Sequence, residues 1–506
     1  MQNGTLLAAV DLGSNSFRLE IARLEHGQIR RAEYLKETVR QGNGLDADRR
    51  LSQDAMQRGW NCLARFGERL AGFKPAHVRA VATQTLREAR NRDEFLATGE
   101  KLLGFPIDVI AGREEARLIY QGVAHLLPQS DERRLVVDIG GRSTEIIIGQ
   151  GYTAQQMASY RVGSVAWSMR YFPEGVFSAR AFDTAEIAAK AVLDEALAYT
   201  QGQWDVAYGS SGTVGAVADA LRLAGRADAD GTITHDNLRW LRERLIKARR
   251  ADALRLDGIK EERKAVIGGG LSVLLAVFDL LGIDALHRGH GALRHGALYD
   301  LLDREHSQTD MRAATVGHLA TRFRADPHQA ARVAAAALHL FRQLAPEGKA
   351  ARSRREMPRP QQESQLEWAA RLHEIGTHIA HADYHKHGAY ILDNADAPGF
   401  ALHELHALSQ LVLGHRGKLR KLEARFADAA FMRQLLALRL AVLLCHARQT
   451  PDITPLSLGA ASGPAGGFTL SAPKGWAQAW PQSAHLLREE ELAWQKTPWG
   501  LKVKLD

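Results

Sequence analysis

A glycine- and serine-rich turn that occurs twice constrains this chain more than any other feature. Asp11-Leu12-Gly13-Ser14-Asn15-Ser16-Phe17-Arg18-Leu19 returns as Asp138-Ile139-Gly140-Gly141-Arg142-Ser143-Thr144-Glu145-Ile146, and one constant offset carries Asp11 to Asp138, Gly13 to Gly140 and Ser16 to Ser143. Apolar runs flank both copies, Leu6 to Val10 and Leu19 to Ala22 around the first, Leu135 to Val137 and Ile146 to Ile148 around the second. Apolar runs joined through Gly and Ser read as β-hairpins. An acid, a glycine and a hydroxyl repeated one small domain apart predict two phosphate-gripping hairpins that face each other across a cleft.

At 506 residues the chain is too long for one core and divides into several domains. The 45% hydrophobic and 25% charged content is that of an ordinary globular protein. The first residues run straight into the first strand without a basic start, a long apolar stretch or a small-residue cleavage site, so a secretory leader is not expected. Leu271 to Ile283, the longest apolar stretch, is interrupted by Asp279 and is too short for a membrane span. With only Cys62 and Cys445 and no CxxC, neither a disulfide framework nor a zinc knuckle is indicated, and a reducing cytoplasm fits. The net charge of +8 describes either a solvated basic surface or recruitment of an anionic substrate.

The first repeat reads as strand, turn and strand (17–24 and 29–35), a helix from Ser52 to about Leu70, a strand at 78–82, a helix at 91–103, a short strand at 107–110 and a helix from Arg113 to Leu127. The second repeats this plan with a hairpin at 135–148, a strand near 157–162, a helix at 183–200, a strand at 204–208 and a helix at 237–250. Strands alternating with helices indicate α/β domains with covered sheets. From about Asp310 strand signals vanish and Ala, Leu, His and Arg recur at helical spacing to about Arg448. The stretch 345–362, rich in Pro, Arg and Gln, reads as an exposed loop or linker. Beyond Pro451 alternating apolar residues predict a small β-containing cap. The expected boundaries are 1–124, 125–306, 307–450 and 451–506.

The repeated turns have the chemistry of a phosphate grip. Gly13, Gly140 and Gly141 bring backbone N–H groups close to an anion without a Cβ in the way, and Ser14, Asn15, Ser16, Ser143 and Thr144 add polar donors. Ser211, Gly212 and Thr213 form a third turn of this kind. Asp11 and Asp138 do not hold phosphate directly; beside it, carboxylates hold Mg²⁺ or orient water. No GxxxxGK[ST] occurs, so a P-loop is excluded.

In DLGSNSFRL, ATQTLREA at 82–89, GREEARLIYQGV at 112–123, DIGGRSTE at 138–145, GSSGT at 209–213 and GALRHGALY at 291–299, the chain resembles the actin, sugar-kinase and Hsp70 superfamily, and within it the exopolyphosphatase and guanosine pentaphosphate phosphatase branch. LHEIG at 372–376 and HKHGAYILDNADAPGF at 385–400 extend the resemblance over nearly the whole chain. It implies two ribonuclease-H-like, actin-type α/β domains flanking a cleft, then an all-α, degenerate HD-like domain and a small β-containing domain. The family usually has a glycine or small residue where this chain has Arg142. Its guanidinium either adds fixed positive charge at the phosphate, the expectation here, or points to solvent.

Glu114 and Glu115 open the helix after Gly112, where the macrodipole favours any acid. Glu115 shares a face with Ile119, Gly122 and Leu126 and is expected to point inward; the resemblance makes it the general base that activates water. Glu145 is the next candidate, assisting the water or holding metal together with Asp11 and Asp138. Arg18 occupies the position equivalent to Glu145. The first hairpin, with Asn15, Ser16 and Arg18, therefore reads as the binding side, and the second, with Asp138, Arg142 and Glu145, as the metal and catalytic side. By resemblance Arg87 contacts the terminal phosphate; Arg40 could lead the polymer into the cleft.

The helical half crowds His373, His378, His381, His385, His387, His403, His406 and His415. It resembles HD-type metal phosphohydrolases, but the His-Asp pair appears as His373-Glu374, so no catalytic metal is expected there. The resemblance gives this region a polymer track, to which His385, Lys386, His387, His415, Arg416, Lys418, Arg420 and Lys421 could contribute. Gly268-Gly269-Gly270 resembles an adenosine loop, but close packing explains such a run equally well. The expected function is Mg²⁺-dependent, processive exopolyphosphatase activity on inorganic polyphosphate, towards which 385–400 leans. Alternatives are hydrolysis of the 5′-phosphate of guanosine pentaphosphate, dual activity, phosphotransfer by a kinase of the same superfamily, or a sensor without turnover. A homodimer is implied by the resemblance alone, and no nucleic acid is required.

Overall fold

The structure, a computed structural model, describes residues 1–200, 202–306, 308–344, 359–450, 452–460 and 467–505. They form two compact units, Met1–Asp310 and Met311–Asp506.

In the first unit the two repeats build two sheets on one plan. β1 (Leu6–Leu12), β2 (Phe17–Glu25), β3 (Gln28–Glu37), β4 (Val78–Ala82) and β5 (Ile107–Val109) lie in the order β3-β2-β1-β4-β5. β6 (Arg133–Ile139), β7 (Thr144–Gln150), β8 (Thr153–Tyr160), β9 (Val206–Ser210), β10 (Ile233–Thr234) and β11 (Ala285–Arg288) lie in the order β8-β7-β6-β9-β11-β10. Each sheet is an antiparallel meander whose first strand then pairs in parallel with the strand after a helical crossover, β1 with β4 and β6 with β9. These are the two expected ribonuclease-H-like domains of actin type. β1 and β6 are buried almost throughout, so both read as continuous apolar runs, whereas the edge strand β3 has no fully buried residue.

The helix Gln53–Arg69 starts where expected, with Ser52 accepting from the Ala55 amide at 3.3 Å, and buries Met56, Cys62, Leu63 and Phe66. The helix Gly112–Ala124 packs against β7, β8 and the helix Leu293–Asp303, and every residue from Glu114 to Ala124 is buried. That helix pair requires glycine at the crossing. A Cβ on Gly122 would stand 2.7 Å from the Gly296 nitrogen, and one on Gly296 would stand 2.9 Å from Leu118 Cα.

Some boundaries differ from the sequence reading. Residues 183–200 are not one helix: Ala179–Leu193 ends in the turn Asp194–Ala196, and Leu197–Thr200 follows. β8 begins at Thr153, forming a tight hairpin with β7, and β9 begins at Val206, just after Asp205, whose carboxylate accepts from the Arg133 amide at 2.8 Å. Gly268, Gly269 and Gly270 lie in the middle of the helix Glu261–Leu281, not at a helix start. Side chains there would strike Phe177, Ser164 and Thr213, so the run is close packing. This helix is long and apolar enough to cross a membrane, but 67% of its apolar window is buried inside the protein, as in a core helix.

In the second unit the helices Met311–Arg322, Pro327–Gln343, Arg359–Leu372, Tyr384–Asn394, Leu402–Gly414 and Ala429–Leu444 enclose one apolar core. A small sheet, β12 (Ser457–Ala460), β13 (Phe468–Ala472) and β14 (Leu501–Leu505), joins the same core through Leu458, Phe468, Leu470 and Leu501. Of the stretch 345–362 read as a loop, 345–358 lie outside the described residues, and Arg359 already opens a helix.

Candidate active site

The two hairpins superpose in register as well as in sequence. Asp11 pairs with Arg18 and Leu12 with Phe17 across the first; Asp138 pairs with Glu145 and Ile139 with Thr144 across the second. Each loop folds back equally tightly, since a Cβ on Gly13 would meet the Ser16 carbonyl at 3.0 Å and one on Gly140 the Ser143 carbonyl at 3.1 Å. Glycine suits both positions because a Cβ there would press on the turn carbonyl.

Between them lies a cleft of about 330 Å³ lined by Asp11, Gly13, Ser14, Asn15, Ser16 and Arg18 from the first hairpin and by Asp138, Gly140, Gly141 and Ser143 from the second. Glu115, Ser211 and Gly212 complete the expected residues that reach it. The structure also brings in Tyr34, Lys36, Arg263, Arg288 and Arg294, which the sequence reading missed. Lys36 holds Glu262 at 2.6 Å, Arg288 holds Asp219 at 2.8 Å and Arg294 holds Glu20 at 2.6 Å. Arg263 lies against Gly212, and burial together with nearby Arg18 lowers its pKa. Arg294 lies within the GALRHGALY motif at 291–299, which could have pointed to it, whereas strand edges and distant helix starts deliver Tyr34, Lys36, Arg263 and Arg288 without a local signal.

Other expected phosphate ligands lie elsewhere. Thr144 is fully buried and donates to the Val162 carbonyl at 2.7 Å; Thr213 donates to the Ile139 carbonyl at 3.1 Å. Both brace the backbone behind the cleft. Arg142 does not line the cleft: it holds Glu88 Oε2 at 3.1 Å and the Gly42 carbonyl at 3.2 Å, both in the first domain. Arg87 stands behind Glu115, Nη2 to Oε2 at 3.1 Å, with Nη1 donating to the Ile110 carbonyl at 2.6 Å. Arg40 has an exposed side chain, while its amide donates to the Asn15 carbonyl at 2.9 Å.

Glu114 is as buried as Glu115, so a helix-end preference for acids explains neither. Glu114 joins Arg79 at 3.2 Å and Arg117 at 2.7 Å in a buried ion cluster that also contains Asp300. Glu115 faces the cleft. Burial pushes its carboxyl up to about 7, opposed by Arg87 and assisted by Asp11 and Asp138. Asp138 is pushed up to about 6 by burial, against a hydrogen bond from Ser210. Glu145, behind the lining and bonded to Ser159 Oγ at 2.7 Å, is raised well above the carboxylate range by burial and then by Glu115 and Asp138.

Three carboxyl groups, Asp11, Glu115 and Asp138, thus line the cleft with Glu145 buried behind them, while Arg18 pairs with Asp11 at 2.9 Å and Arg87 with Glu115. Burial is the first cause of each upward shift, and the neighbouring carboxylates add to it. Among the described residues no three His, Cys, Asp or Glu side chains converge tightly enough to cage a metal ion. Mg²⁺ does not need such a cage, since one or two carboxylates, waters and substrate phosphate oxygens suffice. Asp138 and Glu145 suit that role; Asp11 has one oxygen committed to Arg18.

In the second unit His385 and His415 are buried, so neither lies on an exposed basic track. Lys386, Arg416 and Lys418 are exposed and His387 partly so, with Lys386 paired to Asp383 at 2.9 Å and Arg416 4.8 Å above the Tyr384 ring. His373 is buried with Nδ1 at 2.6 Å from the Ala370 carbonyl, and Glu374 pairs with Arg448 at 2.7 Å.

Comparison with known proteins follows the same division. The sequence model of the Ppx/GppA phosphatase family matches residues 21–305, and that of Ppx/GppA phosphatase, domain III, matches residues 311–494. A relative from Vibrio vulnificus, guanosine-5'-triphosphate,3'-diphosphate pyrophosphatase, is 39% identical over 99% of both chains. Among solved structures, an exopolyphosphatase from Cytophaga hutchinsonii shares the fold with a TM-score of 0.54 at 23% identity, covering 59% of this chain and 98% of its own. The Aquifex aeolicus member of the Ppx/GppA protein family gives 0.50 at 25% identity, covering 60% of this chain and 99% of its own. Relatives from Vibrio atlanticus and Vibrio campbellii, 41% and 39% identical, carry the same name as the Vibrio vulnificus protein. Matched in order through both units, the chain belongs to the Ppx/GppA phosphatase family, whose members are hydrolases.

Proposed function

We propose that this protein hydrolyses the terminal 5′-phosphoanhydride of guanosine 5′-triphosphate 3′-diphosphate. Water attacks the terminal phosphorus, and orthophosphate and guanosine 5′-diphosphate 3′-diphosphate leave. The observation that carries the chemistry is Glu115, a buried carboxylate on the cleft wall, raised to about 7 and held by Arg87. A group with that pKa takes a proton from water near neutral pH and releases it afterwards. The substrate assignment draws on end-to-end similarity to the Vibrio vulnificus relative.

The amides and hydroxyls of Gly13 to Ser16 and of Gly140, Gly141 and Ser143 cradle the phosphate oxygens, and Arg18 and Arg263 add positive charge. Asp138 on the cleft lining and Glu145 behind it would hold Mg²⁺, which would supply positive charge against the phosphate there. Glu115 orients the attacking water, and Arg87 fixes which carboxylate oxygen faces it. Arg40 remains a candidate for guiding substrate inward.

A second reading, terminal hydrolysis of inorganic polyphosphate, is favoured by a cleft lined with Arg18, Lys36, Arg263, Arg288 and Arg294, which suits any polyanion. Phosphate release with Mg²⁺ from guanosine 5′-triphosphate 3′-diphosphate, long polyphosphate and ATP separates the two. The expected result is the highest kcat/KM on the guanosine compound and a loss of at least ~10²-fold in Glu115→Gln. Full activity in Glu115→Gln would remove the base, and preference for polyphosphate would replace the substrate assignment.

A further inference from the structure

Arg142, the departure from the family pattern, reaches away from the phosphate cradle. Its Nε and Nη2 donate to Glu88 Oε2 at 3.2 and 3.1 Å, and its Nη1 donates to the Gly42 carbonyl at 3.2 Å. The other oxygen of Glu88 accepts from Gln84 Nε2 at 2.6 Å. Gln84 is buried, and its amide oxygen accepts from Arg87, Nε at 3.0 Å and Nη2 as well. Arg87 then holds Glu115 Oε2 through Nη1 at 3.2 Å and Nη2 at 3.1 Å. Gln84, Thr85, Leu86, Arg87 and Glu88 form one short helix, so these partners cannot shift independently.

We propose that Arg142 is a positioning residue for hydrolysis, clasping the second phosphate hairpin to the first domain and orienting Glu115 through Glu88, Gln84 and Arg87. Each link is a directional hydrogen bond, and both ends are charge-assisted, which makes the chain stiff as well as attractive. Gln84 can serve Arg87 with its oxygen only while its nitrogen serves Glu88, so the amide transmits the orientation imposed at the Arg142 end. Because Gly140, Gly141 and Ser143 line the cleft beside Arg142, a phosphate seated on the second hairpin bears on the position of the base in the other domain.

The inference rests on Glu115 as the base, so the test includes Glu115→Gln as a control. Steady-state kinetics on guanosine 5′-triphosphate 3′-diphosphate with Mg²⁺ are compared for wild type, Arg142→Ala, Glu88→Gln, their double variant and the swap Arg142→Glu with Glu88→Arg. A lost positioning contact lowers kcat by about tenfold with KM within about twofold in each single variant. The double variant is expected to be no worse than the poorer single one, and the swap to recover most of the loss, with all melting temperatures close to wild type. A raised KM at unchanged kcat would make Arg142 a direct phosphate contact and overturn the proposal. Additive losses, or a swap without recovery, would overturn it too. Full activity in Glu115→Gln would remove the base reading itself, an outcome distinct from a silent Arg142→Ala beside an inactive Glu115→Gln.

Discussion

Adjacent carboxylates at the head of one helix meet different arginines. Glu115 takes Arg87 at the cleft wall, whereas Glu114 sits between Arg79 and Arg117 with Asp300 close by. Arg79 is fully enclosed, and burial lowers its pKa to about 9 despite its acidic neighbours. Charges so buried are tolerated only as a balanced set. Glu114→Gln leaves two buried guanidinium groups short of counter-charge and is expected to cost about 3 kcal/mol in urea-induced unfolding. Turnover per folded molecule should stay near wild type, since this cluster does not reach the cleft. Periodicity separated the two residues correctly by face but not by burial, because the second face is covered by a helix from almost the far end of the first unit.

At the scale of elements, the helix Gly112–Ala124 carries the base and is located by its crossing with Leu293–Asp303. The axes approach closely enough that glycine at 122 and 296 faces backbone, not side chains that could yield. Gly296→Ala must therefore move a helix. The expected cost is about 1–3 kcal/mol of overpacking, read by denaturant unfolding. A loss of kcat should accompany it, because displacing this helix displaces Glu115. The hairpins are fixed more locally. Gly13 and Gly140 meet their own loop carbonyls, so the repeat motif carries its geometry within itself, which is why it was legible without a partner.

For the whole molecule, the cleft stores unfavourable charge. Glu115 near 7 and Asp138 near 6 bind protons more tightly in the folded chain than in the unfolded one, where values near 4.5 and 3.8 apply. Their contribution to stability is complete below the unfolded values and is lost as pH rises through about 6 and then 7. For Glu115 alone the linkage is on the order of 3 kcal/mol. In chelator the melting temperature should fall between pH 5 and pH 8, and Mg²⁺ should flatten that fall by supplying counter-charge. An equal fall with and without Mg²⁺ would remove the cation from this cleft.

The sequence by itself determined the two hairpins, the repeated α/β plan, the inward Glu115 and the change to a helical body near residue 310, since each is written in short-range spacing. Backbone turns and amphipathic faces depend on neighbours a few residues away, so local pattern suffices for them. Only the tertiary structure decided where Arg142 points, that Thr144 and Thr213 bond backbone carbonyls, that His385 and His415 are buried, and that Arg263 and Lys36 reach the cleft. Long flexible side chains and hydroxyls take whatever partner the packing of remote segments presents. Hydrogen bonding and burial are properties of that packing, so local sequence leaves them open.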